Sequence, residues 1–210
     1  MPKEMDGTIP RIGLTGGIGS GKTTVGQLLV AHGAGLLDAD AFSRASTAAG
    51  GSAIATIRDN FGDAAIAADG ALDRRWMRDL VFRDESARER LQAIIHPIVG
   101  QDMAEHADVL IATGKRWLAY DIPLLVESHR WLSVLDLILV VDCSVPTQVA
   151  RVQARDHLDR ETVERIIASQ ASRERRLACA DAIICNDSKE RAQLDVDVAD
   201  FVRSLRLSSC

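Results

Sequence analysis

The sequence from Gly16 to Thr23 reads GGIGSGKT, which matches the pattern G-x-x-x-x-G-K-[ST] of a phosphate-binding loop. The apolar run Arg11–Thr15 precedes it and predicts a short buried strand. The residues that follow, Lys22–Ala31, carry apolar side chains at helical spacing until Gly33. A strand, a glycine-rich loop and a helix are the context that this pattern requires. We therefore expect the loop to bind the phosphates of a nucleoside triphosphate.

The residues of this loop have different expected tasks. Its glycines allow successive backbone N–H groups to turn towards phosphate oxygens, and the helix N-terminus adds positive potential. Lys22 should reach the β- and γ-phosphates, and the Thr23 hydroxyl should bind Mg²⁺. The residues predicted to hold the nucleotide are Gly17, Gly19, Ser20, Gly21, Lys22, Thr23 and Thr24. The alternative is a glycine-rich turn that binds nothing.

Length and composition restrict the class of protein. The chain has 210 residues, of which 47% are hydrophobic, enough for one domain with subdomains and a real core. Its net charge of −5 gives no basic field for binding nucleic acid. No apolar run reaches the ~18 residues of a membrane helix, and the N-terminus lacks the apolar core of a signal peptide. We expect a cytoplasmic protein with no membrane or nucleic-acid partner.

The four cysteines, Cys143, Cys179, Cys185 and Cys210, have no C-x-x-C or metal-ligand spacing. Cys143 and Cys185 end strand-like runs. We expect buried, reduced thiols there rather than a catalytic cysteine or a metal site.

Strand-like segments alternate with helical ones along the chain, which predicts an α/β fold with a parallel sheet of about five strands and helices on both faces. The predicted strands are Arg11–Thr15, Leu36–Leu37, Trp117–Tyr120, Leu137–Val141 and Ala182–Cys185. Several are followed by polar residues, among them Asp38, Asp121, Asp142 and Asn186. Ligands collect at the carboxyl ends of strands in such sheets, so these groups should face the site.

A stretch of about 41–114 separates the second and third strands and has helical character throughout. Asp73 can cap one of its helices. Another predicted helix, Glu85–Ile95, runs into His96-Pro97, where proline should impose a boundary or a kink. Such a long insert predicts a helical subdomain that holds a second substrate.

Arginines concentrate after the fourth strand, with seven of the 21 lying between Arg151 and Arg176. Ser144 can cap a helix through Arg155, and a second helix should run from Arg160 to Arg176. Arg151 and Arg155 are four residues apart and share a face. They form either a solvated surface or, as phosphoryl transfer favours, a mobile lid that covers the triphosphate. The last predicted helix, Ser188–Leu205, has an apolar stripe typical of core packing.

The sequence Asp38-Ala39-Asp40, with Arg44 beyond it, provides the second candidate constellation. Side chains two residues apart on a strand face the same way, so both carboxylates should project on one side, near the phosphates. One carboxylate could accept the proton of the attacking hydroxyl while the other helps to hold hydrated Mg²⁺. Alternatively, Asp38 or Asp40 only caps the following helix.

Three further candidates lie later in the chain. Asp121 ends the third strand, where an acidic residue can contact Mg²⁺ through water, although a structural salt bridge is the alternative. Glu127 follows in Pro123-Leu124-Leu125-Val126-Glu127 and could equally be a helix-turn residue without a role. His96 could touch substrate or be a packed histidine.

Taken together, these motifs resemble the dephospho-CoA kinase family over nearly the whole chain. The resemblance rests on Leu14–Thr24, Asp38-Ala39-Asp40 with Arg44, His96-Pro97, Pro123-Leu124-Leu125 with Glu127, and Gln170 with Arg173. It implies a P-loop nucleotide-kinase fold and ATP-dependent phosphorylation of the ribose 3′-hydroxyl of dephospho-CoA, the last step of coenzyme A synthesis. The alternatives are another P-loop metabolite or nucleoside kinase, or a nucleotide-dependent switch. A guanine switch would need N-K-x-D, which Asn186-Asp187-Ser188 does not supply.

The resemblance also implies roles and boundaries. Asp40 would be the catalytic base, Arg44 a substrate contact, and Arg151 or Arg155 would act from the lid, with Lys22 as the remaining catalytic residue. The expected substrate-binding residues are Asp38, Arg44, His96, Leu124 and Glu127, and the expected Mg²⁺ ligands are Thr23 and Asp121. A single kinase domain, 9–210, would comprise a core (9–40, 115–143 and 180–207), a coenzyme A subdomain (41–114) and a lid (144–179). The expected partners are ATP and dephospho-CoA. We expect a monomer, with oligomers left open.

Overall fold

The computed structural model describes residues 9–128, 130–131, 133–187 and 190–205. They divide into two compact units. One contains the described residues up to Leu37 and from Leu110 onwards, and the other is Asp38–Val109. The described helices and strands, in chain order, are β1 (Arg11–Gly16), α1 (Lys22–Ala31), β2 (Gly35–Asp38), α2 (Ala39–Ser46), α3 (Ile54–Phe61), a short 3₁₀ turn (Asp63–Ala65), α4 (Arg74–Arg83), α5 (Glu85–Ala112), β3 (Leu118–Asp121), α6 (Leu125–Ser128), β4 (Leu137–Asp142), α7 (Val145–Asp156), α8 (Arg160–Ser169), α9 (Arg173–Ala178), β5 (Ala182–Cys185) and α10 (Arg191–Ser204).

Within the described residues the strands form one five-stranded sheet in the order β2-β3-β1-β4-β5, which confirms the predicted α/β fold. β1 lies at its centre and runs parallel to β3 and β4, and β4 runs parallel to β5. The chain crosses to opposite sides of β1, which creates a switch point where ligands bind in open parallel sheets. The loop after β1 therefore begins where the fold itself favours a site.

The sheet is stabilised by an apolar core between β1, β4 and β5 and the helices α1 and α10. Leu14 and Leu139 are completely buried there and pack with Leu29 of α1 and Val198 of α10. Burying side chains of this size contributes about 1.5–3 kcal/mol each to folding. This packing fixes α1, and with it the phosphate loop, against the sheet.

The helical unit has a core of its own, formed by α3, the 3₁₀ turn, α4 and part of α5, with Ile57 and Met77 buried. Asp73 caps α4, as predicted, because its side chain accepts a hydrogen bond from the Trp76 N–H. Of the boundary or kink expected at His96-Pro97, the boundary is wrong, since α5 continues through Pro97 as one helix. Proline removes one backbone hydrogen bond, but Ile94, Ile95 and Ile98 pack on the core and hold the helix together.

The bounds of the helices in the last third of the chain differ from those predicted. The segment Arg160–Arg176 is not one helix: α8 ends at Ser169 and α9 begins at Arg173, where Ser172 caps it through the Arg175 N–H. The last helix, α10, begins at Arg191, and its predicted start at Ser188 lies outside the described residues.

The described cysteines are unpaired thiols, and Cys210 lies outside the described residues. Cys143 is buried as expected, but Cys185 is exposed. Cys185 ends the edge strand β5, in which Ile184 is the one buried residue. None of the helices in the described part of the chain has both the length and the apolar composition needed to cross a bilayer.

Candidate active site

The phosphate loop leaves the end of β1 and enters α1 at Lys22, as the sequence predicts. Gly19 and Gly21 have φ angles of 74° and 90°, in the left-handed region that favours glycine. Side-chain amides also lie close to this loop. A Cβ atom on Gly21 would lie 2.2 Å from Asn186 Nδ2, and one on Gly17 would lie 2.3 Å from Gln148 Nε2. The backbone conformation and the close packing together explain why these positions are glycines.

Lys22 is the first residue of α1, and its ammonium group forms an ion pair with Asp121 at the end of β3. Both side chains are largely buried, with 16% and 10% of their surfaces exposed. Leu14 of β1 lies beside Asp121 in the parallel register, which brings the end of β3 next to the phosphate loop. The structure thus contains the salt bridge that was the alternative for Asp121, and it lies within the predicted phosphate site.

The N-terminus of α1 has no side-chain cap, because Gly21 occupies the capping position. Such an end presents backbone N–H groups and positive potential to an anion. Thr23 is exposed and Thr24 half-buried in this first turn. The Thr23 hydroxyl and the Asp121 carboxylate are hard oxygen donors of the kind that Mg²⁺ prefers, so the residues present fit a magnesium ion.

Side chains from distant segments hold the carbonyl groups of the loop. Gln148 Nε2 donates to Ile18 O at 2.7 Å, and Asn186 Nδ2 donates to Ser20 O at 2.7 Å. Arg151 contacts the carbonyl oxygens of Gly19 and Ser20, each at 3.4 Å. These carbonyls therefore have partners before any ligand binds.

Sequence reasoning gave no role to Gln148, and it noted Asn186 only as a polar residue after a strand. Gln170, quoted for the resemblance alone, accepts a hydrogen bond from the Ile18 N–H at 2.9 Å. Its position after α8 was hidden by the expectation of an unbroken helix.

The break between α8 and α9 is a junction of several contacts. The Ala171 N–H donates to Glu127 Oε1 at 2.6 Å, and its carbonyl accepts from the buried guanidinium of Arg176. Thr15, fully buried, donates its hydroxyl to the Pro123 carbonyl at 3.2 Å. The segment Pro123–Glu127 thus connects β1 with the α8–α9 break.

Arg173 and Asp142 form a bidentate ion pair at the end of β4. The Arg173 Nε and Nη2 atoms lie 2.9 and 2.6 Å from the two Asp142 carboxylate oxygens, and the Asp142 side chain is only 3% exposed. A buried carboxylate is costly unless it is paired, so this contact fixes α9 to the sheet. Arg173 therefore has a structural partner, which the sequence did not predict.

The two arginines predicted to act from a lid have different surroundings. Arg151 reaches the phosphate loop, but Arg155 is exposed and both its Nε and Nη2 atoms lie 2.8 Å from the carboxylate of its neighbour Asp156. The segment that carries them is packed rather than detached, since Val152 and Val163 of α7 and α8 form an apolar cluster with Ile18 of the loop.

Two side chains near the loop have shifted pKa values. Burial raises the pKa of the Cys143 thiol to about 11, and its Sγ lies 3.9 Å from the Gly19 carbonyl oxygen. Hydrogen bonds from Ser144 and Thr147 lower the pKa of Asp187 to about 2, and this carboxylate thereby ties the end of β5 to the start of α7. The first group stays neutral and the second charged at neutral pH.

In the helical unit, Asp38 caps α2 by accepting a hydrogen bond from the Ala41 N–H at 2.9 Å. Contrary to the prediction, Asp38 and Asp40 therefore do not share one face of a strand, because β2 ends at Asp38 and Asp40 lies in the first turn of α2. Asp40 is exposed, and Arg44 of the same helix lies 3.8 Å from the Asp38 carboxylate.

The remaining predicted substrate residues lie on the surface of their own units. His96 is exposed in the middle of α5, Leu124 is 50% exposed just before α6, and Glu127 is exposed apart from its contact with Ala171. Exposure leaves these side chains accessible to a ligand.

Known proteins resemble this chain over almost its full length. The sequence profile described as "Dephospho-CoA kinase" matches residues 11–192. The dephospho-CoA kinase of Albidiferax ferrireducens is 50% identical over 94% of this chain and 93% of its own, and that of Bordetella pertussis is 51% identical over 84% and 81%. Among solved structures, TT1252 from Thermus thermophilus has a TM-score of 0.75 and 30% identity, covering 95% of this chain and 98% of its own.

The profile and the two relatives extend over most of the chain, from β1 into α10 in the case of the profile. The profile covers far more than half of the sequence, and the identity to both relatives is well above 30%. This chain belongs to the dephospho-CoA kinase family.

Proposed function

We propose that this protein transfers the γ-phosphate of ATP to the ribose 3′-hydroxyl of dephospho-CoA, giving coenzyme A and ADP. The observation that carries the donor half is the phosphate loop, whose carbonyls are held by Gln148, Arg151 and Asn186 and whose Lys22 lies beside Asp121. The acceptor follows from the relatives named above. This reaction is the last step of coenzyme A synthesis.

On the donor side, the N–H groups of the loop and of the first turn of α1 bind the phosphates, from Gly17 to Thr24. Lys22 supplies positive charge to the β- and γ-phosphates. Thr23 and Asp121 would hold Mg²⁺, the latter through water, and the ion when bound would neutralise charge on the same phosphates. Arg151 adds charge beside the loop, and Arg155 joins it only if its pair with Asp156 opens.

On the acceptor side, Asp40 accepts the proton of the 3′-hydroxyl as that oxygen attacks phosphorus and the bond to the ADP oxygen breaks. A general base contributes about 10²–10⁴-fold to such a step. Its exposed carboxylate lies on a regular helix, where a polar ligand can reach it. Asp38, Arg44, His96, Leu124 and Glu127 are the proposed contacts to dephospho-CoA.

The proposed parts of the kinase are a core (9–40, 115–143 and 180–207), a coenzyme A subdomain (41–114) and a lid (144–179). The division of the described residues at Leu37–Asp38 and Val109–Leu110 supports the second of these. We also propose that the enzyme acts in the cytoplasm, where ATP is supplied, and as a monomer. Light scattering coupled to size-exclusion chromatography tests the oligomeric state.

An acceptor panel tests the function directly. The purified protein is incubated with ATP and Mg²⁺ and with dephospho-CoA, AMP, shikimate or gluconate in turn. ADP release and the mass of the phosphorylated product are measured. We expect turnover with dephospho-CoA and an added phosphate on its ribose. The proposal fails if dephospho-CoA gives no more ADP than buffer, whichever other acceptor reacts. The Lys22→Ala protein, purified in the same way, controls for a contaminating kinase.

A further inference from the structure

Ile18, in the middle of the phosphate loop, is bound on both sides by glutamine side chains. Its N–H donates to Gln170 Oε1 at 2.9 Å, and its carbonyl accepts from Gln148 Nε2 at 2.7 Å. Gln148 lies on α7 and is only 1% exposed, and Gln170 lies at the break between α8 and α9. The proposed function uses Gln148 only as a support of the loop carbonyls and gives Gln170 no task.

The side chain of Ile18 is held by the same part of the chain. It packs against the apolar cluster of Val149, Val152 and Val163, which belongs to α7 and α8. The fit around the neighbouring residue is tight, since a Cβ atom on Gly17 would lie 2.3 Å from Gln148 Nε2. Three groups of one residue are therefore anchored to the segment that follows β4.

Peptide geometry converts these contacts into an orientation of the loop. A trans peptide is planar, so that its N–H points to the side opposite its C=O, and the described residues contain no cis peptide. When Gln148 holds the Ile18 carbonyl, the N–H of Gly19 in the same peptide group must point away from Gln148. Asn186 has the same effect on Gly21 through the Ser20 carbonyl. Backbone N–H groups at these positions are the ones with which such loops bind phosphate.

We propose that Gln148 and Gln170 are positioning residues, which together form an Ile18 clamp that orients the Gly19 N–H towards the donor triphosphate. The inference rests on the proposed phosphoryl transfer. Both glutamines act through the Ile18 backbone, so their contribution is to fix the loop before ATP binds. Donors that are fixed in advance need no reorganisation when charge develops in the reaction.

The two glutamines use opposite ends of their amide groups, which allows a sharp test. Gln148 uses its donor nitrogen, and Gln170 uses its acceptor oxygen. Gln148→Glu removes the donor, whereas Gln170→Glu keeps an acceptor. Each variant adds one negative charge next to Ile18, and because Gln148 is more deeply buried than Gln170, the uncharged methionine variants provide the comparison without a charge. We expect the KM for ATP to be about tenfold higher in Gln148→Glu than in Gln170→Glu, because the part-buried Ile18 carbonyl loses its hydrogen bond from Gln148.

A second pair of variants removes both functions of the amide. Gln148→Met and Gln170→Met should each raise the KM for ATP about tenfold and weaken ADP binding in calorimetry by a similar factor. The KM for dephospho-CoA should change less than about twofold in each. The matched control is Gln153→Met, because Gln153 lies on the same helix but bonds to Leu158 O at 3.4 Å rather than to the loop. It should leave the KM for ATP unchanged.

The clamp is refuted if Gln148→Glu and Gln170→Glu raise the KM for ATP equally. It is also refuted if Gln153→Met raises this KM as much as Gln148→Met does. If the Gln148 variants do not fold, the comparison of Gln170→Met with Gln170→Glu decides alone. Equal KM values for ATP in these two variants refute the proposal. ADP binding separates the clamp from the proposed function. If ADP affinity follows the expected pattern while dephospho-CoA is not phosphorylated, the clamp stands and the acceptor assignment fails. If all variants phosphorylate dephospho-CoA equally well, the clamp is refuted and the acceptor assignment stands.

Discussion

The phosphate loop and the segment Asp38–Arg44 are both assigned to the same reaction, but the protein holds them in different ways. In the loop, three successive carbonyls are bound by side chains that include Gln148 and Asn186, and both of these are at most 5% exposed. In the segment, Asp38 and Arg44 form an ion pair at 3.8 Å with 41% and 60% of their side chains exposed. Exposed pairs of this kind contribute only about 0–1 kcal/mol.

The difference indicates where the enzyme is organised before its substrates arrive. The donor cradle has its shape fixed by buried contacts within one unit. On the acceptor side, the backbone of α2 is fixed by the Asp38 cap, but the charged side chains beyond it are not held by buried partners of that unit. We infer that substrate contacts orient Asp40 and Arg44, whereas the loop is ready without them.

The largest expected effect is on the donor side. Lys22→Ala should lower kcat/KM for phosphoryl transfer about 10³-fold or more, because the charge at the β- and γ-phosphates is lost. Steady-state ADP release measures the effect. Lys115→Ala is the matched control, since Lys115 precedes β3 and so lies at the end of the sheet opposite the loop. Retention of most of the activity by Lys22→Ala would refute the assignment of the loop.

On the acceptor side we expect an effect on rate rather than on nucleotide binding. Asp40→Asn keeps the size of the side chain but removes the base, so kcat should fall about 10²-fold while the KM for ATP stays within about twofold. Asp59→Asn, an exposed carboxylate on α3 of the same unit, should be neutral. An unchanged kcat in Asp40→Asn would move the base to another residue.

The smallest effects should come from the proposed lid and should rank its two arginines. Arg151→Ala should lower kcat about tenfold, because its guanidinium contacts the Gly19 and Ser20 carbonyls. Arg155→Ala should have a smaller effect, since Asp156 already engages that side chain at the surface. It should lower transfer more than the binding of dephospho-CoA. A larger loss in Arg155→Ala than in Arg151→Ala would show that the lid acts in another arrangement.

Much of the donor side could be predicted because its signals are local in sequence. The glycine pattern, the apolar run of β1 and the spacing in α1 lie within about two dozen residues, and they predicted both the elements and their order. The parallel sheet followed from the alternation of strands and helices.

The clamp on Ile18 could not be predicted, because it joins residues 130 and 152 positions apart through side-chain amides. Polar residues that support a backbone from a distance leave no periodic pattern. Asp40 was placed on a strand for a different reason. The strand β2 is only four residues long.

The neutral Cys143 thiol has a consequence for chemical damage. With its pKa near 11, only about one molecule in ten thousand carries the reactive thiolate at pH 7. Oxidants and alkylating reagents attack the thiolate, so a cysteine placed against the Gly19 carbonyl is protected although it lies beside the nucleotide site. Cys185, at the edge of the sheet, is exposed to such reagents. Burial beside the phosphate loop therefore also keeps the Cys143 thiol in its less reactive, protonated form.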